Sequence, residues 1–200
     1  MLPPATRNAD RYWYERAEAS IRKVGGEHYD MLARLIATLS PQTSVEQNVG
    51  WAVQALRQYR DEGRAPAFGY LHVGRFAGVR ERVNVVLNGG EVTGQKCSQF
   101  YRGLVGDGEA VAIDNFVALA IGADPRALTP HLYQRLAADI RHVAHDWGWQ
   151  PRQLQAALWA VAPRQRPGGD LGKALEQAEG LLYQGKLWVG GPYGQRRGNE

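Results

Sequence analysis

Apolar residues recur at helical spacing along almost the whole chain. In "EHYDMLARLIATLS", Met31, Leu32, Leu35, Ile36 and Leu39 fall on one helical face. In "SVEQNVGWAVQALRQYRDEG", Val45, Val49, Ala52, Val53 and Leu56 do the same behind a Ser44…Gln47 capping box. "NADRYWYERAEASIRKVGG" predicts a helix capped at Asn8 and stopped at Gly25-Gly26, and "YLHVGRFAGVRERVNVVLNGG" a further helix weakened by Gly74 and Gly78. The next helix carries Lys96 and Phe100. After a Gly106-Asp107-Gly108 turn, "EAVAIDNFVALAIG" predicts an apolar extended approach and then a helix capped by Asp114. Thr129-Pro130 and Pro151 mark two more helix starts, and Asp170 opens a last helix ending near Tyr183. No strand-rich region or internal repeat interrupts this pattern, so the expected class is all-α.

Composition narrows the function classes. The chain has 200 residues, 44% of them hydrophobic, with a mean hydropathy of −0.42. No apolar run approaches the roughly 18 residues that span a membrane. The first residues, "MLPPATRNADRYWYER", lack the apolar core of a signal peptide, so a cytoplasmic protein is expected. The single cysteine, Cys97, excludes an intramolecular disulfide and any four-cysteine zinc or iron–sulfur site; it reads as a small buried apolar residue. A net charge of +4 and a pI near 9.3 favour a polyanionic partner.

Lysine usage sharpens the chemistry. Only Lys23, Lys96, Lys173 and Lys186 are lysines among 24 basic residues, so arginine is this chain's default cation. Lysine alone of the two can lose its proton and act as a nucleophile. Lys96 follows the turn "VTGQK", and Asp114 follows eighteen residues later in "VAIDNFV". The plain readings of these residues are a solvated lysine at a helix start and an aspartate cap, and asparagine at 114 would keep that cap. His142 and His145 sit one helical turn apart without an identifiable third ligand, so neither a metal site nor a cofactor is expected. Trp147 and Trp149 can stack on a base, whereas Trp159 in "LQAALWAV" has the spacing of a packing residue. Arg57, Arg60, Arg64, Arg80 and Arg82 read as solvated faces with some reach to phosphates.

Three stretches in order, "ATLSPQTSVEQNV", "VTGQK" and "VAIDNFV", resemble the helix-hairpin-helix DNA glycosylase and AP lyase superfamily over roughly residues 35 to 122. The resemblance implies an all-α fold of two helical lobes, with double-stranded DNA bound over the cleft they form. It implies that Gln42, with Thr43 beside it, enters the duplex near the flipped nucleotide. Gly94 and Gln95 in the hairpin would bind phosphate through their backbone, Lys96 would be the nucleophile, and Asp114 the catalytic carboxylate. Lys96 and Asp114 would then face one cleft. The chain would be a single compact unit, residues 1–200, with lobes 27–107, carrying a degenerate hairpin, and 1–26 plus 108–185, leaving 186–200 as a flexible tail of a monomer. The pattern departs from the family at Val92, where the hairpin's first glycine would stand, leaving Gly89-Gly90 to rebuild the amide nest. Phe116 replaces the usual histidine, and the C-terminal cysteine cluster is absent. Three readings follow from the resemblance: a base-excision enzyme with AP lyase activity, a phage-type enzyme of the same fold transferring a small group onto a modified pyrimidine, and a non-catalytic DNA-binding module.

Overall fold

The computed structural model describes residues 11–41, 43–63, 78–162 and 170–183. Every regular element among them is helical, so the chain is all-α there. The helices are α1 (Trp13–Gly25), α2 (Tyr29–Leu39), α3 (Val45–Glu62), α4 (Val79–Leu87), α5 (Gln95–Leu104), α6 (Asn115–Ala120), α7 (Pro130–Asp146), α8 (Pro151–Val161) and α9 (Leu171–Tyr183).

Their starts follow local capping chemistry. The Ser44 hydroxyl accepts the Gln47 amide at 3.2 Å, and Thr129 Oγ1 accepts the Leu132 amide at 3.2 Å with Pro130 behind it at the first helical position. A helix start leaves its first amides without carbonyl partners, so a short oxygen-bearing side chain placed there offsets about 1 kcal/mol of lost hydrogen bonding. Asn8 lies outside the described residues, as does the "RPGG" break before Asp170.

The chain divides into two compact units, one made of residues 1–19 and 92–168, the other of 20–91 and 169–200. This corrects the expected division of 27–107 against 1–26 plus 108–185. Residues 92–107 belong with the first unit because α5 buries Gly103 and Leu104 there, with Gly103 against Tyr14. Residues 170–183 belong with the second unit, because α9 packs on α3. The expected tail, 186–200, lies outside the described residues.

In the second unit α2 packs on α3 and α4. Leu32, Leu35, Ile36 and Leu39 of α2 are fully buried, as are Val49, Ala52 and Val53 of α3 and Val83 of α4. The faces predicted from apolar spacing are the faces that pack. Three side chains close the end of α2, where carbonyls run out of helical partners: Asn48 Nδ2 donates to Ile36 O at 3.0 Å, Ser40 Oγ to Ala37 O at 2.8 Å and Thr43 Oγ1 to Leu39 O at 3.0 Å.

The first unit packs α8 on α6 and α7. Its core joins Val111 and Ile113 of the extended approach to Val117 of α6, Tyr133, Ala137 and Ile140 of α7 and Leu154 of α8. The approach cannot form a helical ladder, so a side chain satisfies its backbone. The buried Tyr133 hydroxyl donates to Val111 O at 3.1 Å and accepts the Ile113 amide at 3.0 Å. Burial, aided by neighbouring negative charge, pushes the Tyr133 phenol up to about 12, so it remains a donor at physiological pH.

Candidate functional site

Asp114 ends that extended segment and caps α6. Its Oδ1 accepts the amides of Phe116 at 3.0 Å and Val117 at 2.9 Å, while Oδ2 accepts the indole N–H of Trp159 at 3.1 Å. The helix start alone accounts for the first two bonds. The third comes from α8, 45 residues away in sequence. Both oxygens are therefore held, and the plane of the half-buried carboxylate is set.

Rings lead from Trp159 toward the lysine. Trp159 tilts against Trp13 with centroids 6.0 Å apart, Trp13 stacks on Phe100 at 6.1 Å, and Lys96 Nζ lies 5.1 Å from the Phe100 centroid. Burial pulls the Lys96 ammonium below the ordinary lysine value of 10.5, against the opposing pull of Cys97 and the Asp114 charge. Lys96 and Asp114 thus belong to one unit and act on each other electrostatically, and a series of ring contacts through Phe100, Trp13 and Trp159 connects the one to the other.

Tyr14 backs this row. It meets Trp13 edge-on at 5.1 Å and Phe100 at 6.2 Å, and its buried hydroxyl donates to Gln155 Oε1 at 2.5 Å. Burial first, and the Asp114 charge second, raise its phenol well above the ordinary 10. Gly103 makes room for that ring: a β-carbon there would stand 2.6 Å from Tyr14 Cε1. Gly103→Ala gains about 1 kcal/mol of helix propensity but forces a rigid ring to move, an overpacking cost of about 1–3 kcal/mol. A net loss of stability is expected, read as a lower denaturation midpoint; a midpoint at or above that of the parent chain would show that the ring yields freely.

Arg152, the second residue of α8, anchors the helix that delivers Trp159 and Gln155. Its side chain is 7% exposed. Nε donates to Gln150 Oε1 at 2.9 Å, and Nη1 donates to Gly103 O at 3.1 Å and pairs with Glu18 Oε2 at 3.3 Å. Nη2 lies 3.6 Å from Glu15 Oε1. Gln153 Nε2 donates to the same Glu15 oxygen at 2.8 Å, while Glu15 Oε2 is buried with no hydrogen-bond partner.

The stretch in which a hairpin is expected joins α4 to α5. Gly94 precedes α5 with φ +88°, a conformation that favours glycine, and as the N-cap residue it has no side chain with which to cap the helix. Gly94 and Gln95 are exposed. Gly89 and Gly90 do not rebuild the amide nest, because their amides bond to Val86 O at 3.0 Å and Val85 O at 2.8 Å and close the end of α4. Val92 is buried. Thr43 commits its hydroxyl proton to the α2 joint, and Gln42 lies outside the described residues. Phe116 is 37% exposed beside the carboxylate that its own amide binds.

Elsewhere the polar residues form ordinary surface pairs. His145 meets Glu109 at 3.0 Å and His142 meets Asp146 at 3.5 Å, each on the exposed surface. Among the described residues, no three His, Cys, Asp or Glu side chains gather as a metal would require. Arg57 and Arg60 both pair with Asp61, at 3.4 and 3.2 Å. No helix among the described residues is long and apolar enough to cross a membrane.

Sequence spacing missed Trp13, Tyr14, Gln155 and the donor role of Trp159. One signal was present: a half-buried tryptophan needs a partner for its N–H, and a carboxylate is the strongest acceptor available. No curated protein and no solved structure matches the chain. A family model matches residues 3–166, and on that breadth the chain belongs to the family of unknown function DUF7178.

Proposed function

We propose that the protein is a DNA-processing enzyme of the helix-hairpin-helix glycosylase and AP lyase type, acting at the sugar of a flipped or abasic nucleotide. One observation carries the reading: a desolvated lysine and a carboxylate held by three donors lie in the same unit beside a row of aromatic rings. Breaking an N-glycosidic bond builds positive charge on the sugar, and a fixed carboxylate stabilises it. A lysine whose proton is easily lost adds to the anomeric carbon, the glycosidic bond breaks, and the base leaves with its electrons and a proton. The bond from the anomeric carbon to the ring oxygen then breaks, that oxygen takes the amine's second proton, and the nitrogen holds the opened sugar as a Schiff base. Gly94 and Gln95 at the start of α5 would take a phosphate through their backbone amides. The basic pI of 9.3 fits a polyanionic partner.

A duplex with a single abasic site tests the lysine without knowledge of the base. Lys96 Nζ adds to its aldehyde, water leaves, and borohydride hydride reduces the iminium to a stable amine link. Trapping is expected for the parent chain and absent for Lys96→Gln. The sign of the pH dependence follows from the lowered lysine: the neutral amine reacts, so the rate rises with pH and levels off below the ordinary value of 10.5. A rate still climbing through 10.5, or equal trapping by Lys96→Gln, would remove the nucleophile. Mass analysis of lesion-bearing and modified oligonucleotides then separates base loss from base gain, the second outcome marking a group-transfer enzyme.

A further inference from the structure

We infer that Trp159 is a positioning residue for Asp114: its indole N–H holds Oδ2 and so decides which part of the carboxylate meets the substrate. The inference rests on the reading that Asp114 acts at the sugar. A carboxylate has about four acceptor positions, two on each oxygen. Two on Oδ1 are filled by the amides of Phe116 and Val117, and one on Oδ2 by Trp159. A single position remains, on Oδ2, and its direction is set by the indole.

The indole is itself held. Its ring lies against Trp13, and α8 is fastened at its start by Pro151 at the first helical position and by the Gln150–Gln153 capping box. The buried guanidinium of Arg152 ties the same turn to Gly103 O and Glu18. Two backbone amides alone allow the carboxylate to rock about its bond to Oδ1. The third bond removes that freedom, which matters when a reacting group must be placed to within a fraction of an ångström.

Two variants separate positioning from packing. Trp159→Phe keeps a ring against Trp13 and deletes the donor; benzothienylalanine at position 159 keeps the shape of tryptophan, with sulfur in place of the N–H. The probe is the single-abasic-site duplex with borohydride, and the hydrogen bond is followed by the indole N–H resonance that Trp159→Phe removes. Asp114→Asn is expected to move that resonance upfield. Both changes at 159 are expected to lower the maximal trapping rate by about 10- to 100-fold, the range seen when a partner orienting a metal ligand is lost. The half-saturating duplex concentration and the melting temperature of the benzothienylalanine protein are expected to stay the same. An indole resonance indifferent to Asp114→Asn overturns the proposal, and so does parent-level trapping by the benzothienylalanine protein. Failure of the parent chain to trap at any pH overturns the reading of the site and the positioning role with it; that outcome is distinguishable, because the indole resonance still responds to Asp114→Asn.

Discussion

Arg152→Met is expected to destabilise the chain by about 3 kcal/mol, the lower end of the range for breaking a buried ion pair. Methionine matches much of the volume, so packing loss is small and the cost is electrostatic. It leaves Gln150 Oε1, Gly103 O and Glu18 Oε2 without their guanidinium donor, and Glu15 without a counter-ion although its second oxygen already has no partner. The estimate sits low in the range because the Glu15 and Glu18 side chains remain 31% and 21% exposed and recover some hydration. Arg152→Lys is expected to recover only part of the loss, since one ammonium cannot reach four acceptors arranged around a planar fork. Chemical denaturation measures both. A loss under about 1 kcal/mol for Arg152→Met would mean that the carboxylates find water once the arginine is gone.

Asp114→Asn is expected to cut abasic-site trapping and base release by about 10²- to 10³-fold, the scale of losing one preorganised electrostatic partner. DNA binding is expected to persist. The same change also costs stability, and here the structure corrects the expectation that asparagine keeps the cap at little loss. Asparagine has one carbonyl oxygen. If that oxygen stays on the Phe116 and Val117 amides, the side-chain NH2 faces the Trp159 N–H, donor against donor; if the amide flips, the cap is lost. Either way a buried or half-buried donor goes unsatisfied, at about 1–3 kcal/mol. Kinetics at saturating duplex, with thermal melting alongside, separate the two effects. Full trapping by a folded Asp114→Asn protein would exclude the carboxylate from the chemistry.

These two residues mark the limits of sequence reading. The Asp114 cap was legible because capping is local: an aspartate ahead of an apolar helix needs only its next three residues to be understood. Ser44, Thr129 and Pro151 were legible for the same reason, and the buried faces of α2 and α3 followed from spacing alone. The third bond of Asp114 was not legible, because its donor lies 45 residues on, in a segment whose spacing signals only packing. Arg152 gave no signal either. Nothing in "QPRQLQAALW" distinguishes a solvated arginine from one that reaches Glu15 and Glu18, more than 130 residues back. In the stretch read as a hairpin, Gly94 has the positive φ that favours glycine, while Gly89-Gly90 closes a helix instead of forming a nest.

Neither unit is a continuous stretch of chain. Each is made of two segments separated in the sequence. On the ribosome, the rings of Trp13 and Tyr14 emerge before α5 and α8, the helices against which they pack. The α2–α4 helices likewise await α9, which packs on α3. Synthesis in sequence order therefore leaves each unit incomplete until its second segment follows, and both depend on sequence-distant closure, the feature that slows folding and lengthens exposure of unburied surface.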